Sequence, residues 1–214
     1  MLTTLRNAFK IKDLRDKLLF TFIMLVVIRF GSQLPVPGVN TELFRSWFES
    51  QAAGAFSFFD AITGGSFMSM SILALNISPY ITSSIVMQLL TIAIPKLEEM
   101  QRDGEDGRKK IASMTRYVTV ILALMQSTAM AIGFGRSGYL VEYNVMSVLT
   151  VVATLTAGSA FLMWIGEQIT EKGIGNGISI VLVINILASI PNDFRNLFAQ
   201  FVNGKAPATA VLNA

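Results

Sequence analysis

The longest uncharged stretch of the chain dominates its hydrophobic pattern, because residues 61–95 carry no charged side chain. As one helix they would be about 50 Å long, whereas a bilayer core is about 30 Å thick and is crossed by roughly 20 helical residues. The natural break is the pair Gly64 and Gly65, since glycine destabilises a helix interior and permits unusual backbone angles. The pattern predicts a short helix over 56–63 that folds back at membrane depth, followed by a full span over 72–94.

Four further apolar blocks are predicted to cross the membrane. The predicted fold class is therefore an all-α membrane protein with five transmembrane helices and one short re-entrant helix. Backbone that folds back at membrane depth must be enclosed in protein or line an aqueous cavity, because lipid cannot satisfy its hydrogen-bonding groups. We interpret the re-entrant helix as the stopper of a pore. The five predicted spans are 18–34, 72–94, 113–134, 145–165 and 176–190.

Charged and polar segments flank these spans. A basic, amphipathic segment precedes the first span and is predicted to lie along the inner membrane surface. Arg29, near the far end of that span, is predicted to anchor it at the interface. A proline-rich outside loop begins at residue 35, and the densely charged residues 96–116 form a solvated loop. The predicted domain organisation is 1–17 for the amino-terminal segment, 18–191 for the five-span unit and 192–214 for an external loop or tail.

Composition supports a membrane protein and excludes several chemistries. Hydrophobic residues make up 52% of the chain and charged residues 14%, with a mean hydropathy of +0.56. The absence of cysteine and histidine removes disulfides, thiol chemistry and the commonest metal ligand. Of the 17 lysines and arginines, 12 fall on one side of the predicted spans and 5 on the other. By the positive-inside rule, the amino terminus is cytoplasmic.

Polar side chains are frequent in the predicted second span. Interhelical hydrogen bonds explain such residues in most membrane bundles, and a polar path or a moving interface is the alternative, so the residues leave both interpretations open. The polar residues of this span are Asn76, Ser78, Thr82, Ser83, Ser84 and Gln88.

Two pairs of branched apolar residues lie one helical turn apart. Ile77 and Ile81 begin the second span, and Ile178 and Leu182 begin the fifth. Taken alone, each pair is explained by packing or by contact with lipid. The alternative is a ring of aliphatic side chains that closes a pore by excluding water and ions.

Neither catalysis nor a bound cofactor is indicated. The glycines at 173, 175 and 177 do not form a dinucleotide fingerprint, because Ile178 stands where the third glycine belongs and a membrane span precedes them. The acidic residues near Asp103 are followed by basic ones, which argues against a calcium loop. No nucleophile paired with a base, no pair of carboxylates and no phosphate loop lies within the spans. We therefore expect no cofactor, no metal and no enzymatic activity.

Three longer motifs resemble the bacterial SecY family, the main subunit of the protein-conducting channel. GEQITEKGIGNGIS at 166–179 resembles the family's signature between its fourth and fifth spans. NISPYITSS at 76–84, followed by QLLT at 88–91, is similar to its second span, and RDGEDGRKK at 102–110 to its next cytoplasmic loop. The resemblance implies one inverted-repeat half of a ten-helix channel in the bacterial plasma membrane. Such a channel passes unfolded polypeptides outward and opens sideways to release hydrophobic segments into lipid.

The resemblance also implies roles for individual residues. Leu182 departs conservatively from the isoleucine common at its place in the family. The pore ring would receive Ile77, Ile81, Ile178 and Leu182. The plug, at about 55–70, would include Phe56, Phe58, Phe59, Asp60, Ile62, Gly64, Gly65 and Phe67. The moving face of the lateral gate would include Thr82, Ile85 and Gln88.

Partners follow from the resemblance alone. They would be a translocating polypeptide with its signal sequence, small SecE-like and SecG-like membrane subunits, a ribosome or SecA-like motor ATPase, the lipid bilayer and the carboxyl-terminal half of the same channel. Because one half cannot close such a pore, we expect the chain to be one portion of a longer protein. Half of a secondary transporter, binding solute at the broken helix, is the alternative. An insertase or scaffold without a pore is a third possibility.

Overall fold

The computed structural model describes residues 11–50, 60 and 62–202, and apart from isolated β-bridges its regular elements are helices. The predicted all-α class is confirmed for this part of the chain. The helices are α1 (Lys12–Gly31), α2 (Thr41–Ser50), α3 (Ser78–Ala93), α4 (Pro95–Arg102), α5 (Glu105–Arg136), α6 (Val145–Lys172) and α7 (Gly177–Val202).

Not all predicted spans meet a strict test of length and apolar composition. Among the described residues, α5 and α6 do, and α3 with α4 would make a third span if that pair, bent by 101°, counts as one. The early turns of α1 carry charged side chains, and the apolar part of α7 is short, at Gly177–Ala188. The count of five spans therefore stays a prediction.

The helices pack closely through small and hydroxyl-bearing residues. α5 packs against α3 and α6, while α6 also contacts α1 and α7. Ser83 of α3 donates a 2.8 Å hydrogen bond to the carbonyl of Thr115 in α5. At Gly158 of α6, a Cβ atom would lie 1.9 Å from the carbonyl oxygen of Ile72, so this contact requires glycine. Small residues that let backbones approach are typical of membrane helix interfaces.

The predicted start of the second span is wrong by six residues. Residues 72–77 form turns, and α3 begins only at Ser78. Asn76 has a φ of +52°, in the left-handed region that cannot continue a right-handed helix. Pro79 lies in the first turn of α3, where its missing N–H group is not needed.

The predicted charged loop over 96–116 is helical. It contains α4 and the first turns of α5. α5, which carries the third predicted span, therefore begins eight residues before the predicted position 113. Glu and Lys are good helix formers in water, and Glu98 pairs with Arg102 one turn later at 2.6 Å. Charge density was therefore a poor signal for a loop.

Two further predicted ends were placed too early. α6 continues past residue 165 to Lys172, and Glu167 within its last turns is paired with Arg116 of α5 at 2.7 Å. α7 continues past 190 to Val202, so residues 192–202 are not loop. Apolar residues at 194, 197, 198 and 201 have the spacing of an amphipathic helix, which the proline at 191 obscured.

The predicted boundary between the amino-terminal segment and the first span, at residue 17, does not coincide with the start of a helix. Residues 12–17 are the first turns of α1 and continuous with the first span, while residues 1–10 lie outside the described part. Exposed ion pairs, such as Lys17 with Asp13 at 3.3 Å, line these turns.

An aromatic cluster organises the predicted outer end of the assembly. The predicted outside loop contains α2, whose Phe44, Trp47 and Phe48 are spaced for one helix face. Phe44 is fully buried and meets Phe134 of α5 with ring centroids 5.0 Å apart, and Tyr139 at 5.8 Å. The helix was missed because its charges suggested a loop.

Candidate functional site

The predicted re-entrant segment turns at the glycine pair that the sequence indicates. Asp60 and residues 62–63 are helical, and the chain then turns through Gly64 and Gly65, with φ of +66° and +82°. Side chains other than glycine rarely adopt such values. The predicted plug residues Phe56, Phe58 and Phe59 lie outside the described residues.

The described part of this segment is closed by local hydrogen bonds. The Asp60 carboxylate accepts a 2.8 Å bond from the backbone N–H of Met68. The Thr63 hydroxyl donates to the Asp60 carbonyl at 3.0 Å and accepts from the N–H of Phe67 at 3.3 Å. Asp60, the charged residue of the predicted plug, therefore shapes the turn.

Three helices or helix starts hold the turn from different sides. The Asn76 side-chain amide donates a 3.2 Å bond to the Ile62 carbonyl, and Asn185 of α7 donates to the Asn76 Oδ1 atom at 3.0 Å. Arg29 of α1 lies with Nη1 3.5 Å from the Gly64 carbonyl oxygen. Arg29 thus has a protein partner in addition to the interfacial role predicted for it.

Asn185 also fixes how closely the turn approaches α7. A Cβ atom at Gly64 would lie 2.6 Å from the Asn185 carbonyl oxygen, so a larger residue would push the two apart. The Asn76 backbone carbonyl accepts a 3.2 Å bond from Ser159 of α6. Asn76 and Asn185 are 1% and 3% exposed, so this polar cluster is enclosed by protein.

The far end of the re-entrant segment is fastened to the aromatic cluster. Phe67, a predicted plug residue, is buried against Phe44 with ring centroids 5.7 Å apart. The Val36 N–H donates to the Met70 carbonyl at 2.8 Å, and the Ile72 N–H to the Leu34 carbonyl at 2.9 Å. Phe67 and Met70 thereby belong to a buried hydrophobic cluster with Val36, Phe44 and Phe48, which we call the outer core.

The four predicted ring residues lie in one hydrophobic cluster. Ile77 is 1% exposed and belongs to its buried part, with Leu162 and Ile165 of α6 among its members. The other three ring residues are partly buried and pack against the same cluster: Ile81, Ile178 and Leu182. The structure thus brings together side chains that stand about 100 positions apart in the sequence.

An open groove adjoins this cluster. Its volume is about 450 Å³, and both Ile81 and Ile178 line it. The Arg116 and Glu167 ion pair, 2.7 Å between Nε and Oε1, lies in its wall. The groove therefore has an apolar part at Ile81 and Ile178 and a charged part at Arg116 and Glu167, on the side that the charge bias predicts to be cytoplasmic.

The predicted lateral-gate residues share the open face of α3. Thr82, Ile85 and Gln88 are exposed, and Ile85, at 53% exposure, also lines the groove. The opposite face carries the buried Ser83 and Met87, which pack towards the other helices. Within the described part of the chain, no other helix covers these three side chains.

Sequence reasoning missed Asn185 as a site residue. Its signal was available, because it is an uncharged polar residue inside the apolar run of the fifth predicted span. Polar residues at such depth are seldom without a partner in the protein. Among the described residues, no group of three or more acidic, cysteine or histidine side chains could hold a metal ion.

Comparisons with known proteins place this arrangement in a family. The family model described as SecY matches residues 71–214. The protein translocase subunit SecY of Halalkalibacterium halodurans is 46% identical over 202 residues, which cover 93% of this chain and 46% of the relative. That of Thermotoga maritima is 43% identical over 207 residues, which cover 92% of this chain and 48% of the relative.

Solved structures share the fold. The structure of a protein conducting channel matches with a TM-score of 0.58 at 20% identity, over 83% of this chain and 37% of that chain. Sec61 in the canine ribosome-channel complex gives the same values.

The apolar helices and these matches define an integral membrane protein with part of the fold of the channel structures. The chain belongs to the SecY family, as its motifs predict. It spans about half the length of the curated relatives it matches. As a member of this family, it is not an enzyme.

Proposed function

We propose that this chain is the amino-terminal half of a channel that passes unfolded polypeptides across the bacterial plasma membrane. We use the term whole channel for this chain joined to a carboxyl-terminal half, because the chain covers 46% of its relative from Halalkalibacterium halodurans. The observation that carries the proposal is the re-entrant segment. Its Ile62 carbonyl accepts a hydrogen bond from Asn76, the residue before Ile77 of the proposed ring, and its Gly64 carbonyl accepts one from Arg29.

Closure of the pore rests on two layers in this proposal. The ring of Ile77, Ile81, Ile178 and Leu182 excludes water by its apolar surface. The plug, about 55–70, blocks the outer side of the ring. Because Phe67 and Met70 are buried in the outer core, residues 66–70 act as the tether of the plug, and residues 62–65 belong to the part that moves.

Sideways release of hydrophobic segments is assigned to α3. Its exposed face, with Thr82, Ile85 and Gln88, forms one wall of a lateral gate, and the carboxyl-terminal half supplies the other wall. The apolar groups on this face suit contact with lipid or a hydrophobic signal sequence, while Thr82 and Gln88 allow a reversible polar interface.

The remaining partners follow from family membership. The amino terminus lies in the cytoplasm, in a multi-pass arrangement, and there a ribosome or SecA-like motor ATPase delivers the polypeptide. Small SecE-like and SecG-like subunits accompany the channel in the bilayer. The charged groove end at Arg116 and Glu167 lies on the side from which the polypeptide enters.

A transport assay tests the proposal. In sealed vesicles, the whole channel with its motor should move a hydrophilic polypeptide into a protease-protected compartment, since the pore takes extended chain. Vesicles without the channel provide the control. Saturable, ion-coupled uptake of a small solute in place of polypeptide transport would instead assign the chain to a secondary transporter. Insertion of membrane proteins without any crossing of hydrophilic segments would indicate an insertase.

A further inference from the structure

Two buried asparagines form a chain of amide groups that ends on the predicted plug. Asn76, before α3, and Asn185, in α7, are 109 residues apart in sequence, and their side chains meet at 3.0 Å. Beyond Asn76 the chain of hydrogen bonds continues to the Ile62 carbonyl at 3.2 Å. This contact joins the walls of the assembly to the re-entrant segment.

The orientation of both amides is dictated by the Ile62 carbonyl. That carbonyl only accepts, so Asn76 must turn its NH₂ group towards it and its Oδ1 atom towards α7. Asn185 must then present its own NH₂ group to Asn76, which leaves the Asn185 Oδ1 atom buried without a hydrogen-bond partner among the described residues. A buried acceptor without a donor raises the free energy of the state that contains it.

The backbone of Asn76 is suited to the same task. Its φ of +52° lies in the left-handed region, which asparagine tolerates better than most residues. Its carbonyl accepts from Ser159 of α6, and its N–H donates to the Leu73 carbonyl at 2.8 Å. These hydrogen bonds fix the backbone of Asn76 and thereby restrict the position of its side chain.

We propose that Asn76 and Asn185 form a latch that holds the plug closed through the Ile62 carbonyl, a role that rests on the proposed plug function. Asn76 makes the contact with the plug, and Asn185 acts through Asn76 by fixing the orientation of its amide. When the plug leaves, the Asn76 NH₂ group loses the Ile62 carbonyl as its acceptor, and the loss of this hydrogen bond raises the free energy of plug release.

A single introduced cysteine can report plug release, because the chain contains none. Thr63 lies next to Ile62, before the glycine turn, and is fully buried, so Thr63→Cys in a whole channel otherwise free of cysteine should react slowly with a membrane-impermeant maleimide from the outside. Asn76→Gly tolerates the left-handed backbone but lacks the amide, and should raise the labelling rate about tenfold.

The series arrangement predicts how the two asparagines combine. Asn185→Ala leaves the bond to Ile62 in place and should raise the labelling rate about threefold. The double variant should match Asn76→Gly at about tenfold, whereas independent contributions would multiply to about thirtyfold. A thirtyfold rise, or no rise with Asn76→Gly, would overturn the latch.

Controls separate the latch from general loosening and from the plug itself. Ser83→Ala removes a buried interhelical hydrogen bond without touching the plug, and should leave the labelling rate within about twofold. The melting temperature of Asn76→Gly should lie within a few degrees of that of Ser83→Ala. A much lower melting temperature would mean that the fold, and not only the latch, is lost. Deleting 55–65 should raise the resting ion leak. An unchanged leak would overturn plug and latch together, whereas a raised leak with the introduced cysteine still protected in Asn76→Gly would overturn only the latch.

Discussion

The triple variant in which glycine replaces Ile81, Ile178 and Leu182 should raise the resting ion conductance of the whole channel by roughly tenfold or more. These side chains pack on one cluster, and two of them line the groove, so in the proposed pore they form the apolar surface that excludes water. A dewetting barrier lowered by about 1.4 kcal/mol already gives a tenfold change in rate. The measurement is single-channel or bulk conductance in planar bilayers without a translocating polypeptide.

Ile77 is kept in this experiment because it is 1% exposed. Its truncation would open a cavity in the helical core and cost about 2–5 kcal/mol of stability, which would confuse leak with unfolding. The matched control places glycine at Leu89 in α3 and at Val183 and Leu187 in α7, all of them exposed. Each helix then receives the same number of glycines, with the same loss of helix propensity. Equal conductance in the two triple variants would remove the ring assignment.

Deletion of 55–65 is expected to have the second large effect. Without residues 55–65 of the proposed plug, the closed state rests on the ring alone, so we expect a resting conductance several-fold higher and frequent brief openings. Residues 66–70 are retained because Phe67 and Met70 are buried in the outer core. Conductance recordings in the absence of polypeptide measure both quantities.

A deletion of equal length from the predicted external tail, 203–213, is the control for shortening the chain. It should leave conductance unchanged. If the plug deletion closes as tightly as the intact channel, the re-entrant segment is structural and has no part in sealing.

Local sequence signals predicted the elements that depend on local chemistry. The break at Gly64 and Gly65 was predictable because a glycine pair interrupts a stretch too long for one span. The start of α6 at Val145 was predicted correctly, since polar residues end there and a long apolar run begins. In these places composition and backbone preference act in the same direction.

Long-range contacts decided the features that sequence did not reveal. The left-handed turn at Asn76 delays α3, and its stabilising partners are Ile62, Ser159 and Asn185, all distant in sequence. Burial of Phe44 against α5 and the re-entrant segment makes α2 part of the core. Such contacts are properties of the packed assembly, which propensity and periodicity do not encode.

The ring residues illustrate an intermediate case. Their aliphatic character is equally suited to packing and to a gate, and only the resemblance to the SecY family favoured the gate. The structure adds that they share one cluster beside an open groove. Their role during transport stays a prediction.

The most direct test of the channel account is a photocrosslinker at Leu182, with Leu187 as the control position on the same helix. A hydrophilic polypeptide is arrested midway through the whole channel, and the adducts are identified by mass. The account predicts adducts between position 182 and the polypeptide, while position 187, which is 51% exposed in this assembly, gives lipid or channel-subunit adducts. Adducts of position 182 with lipid alone, and none with the polypeptide, would contradict it.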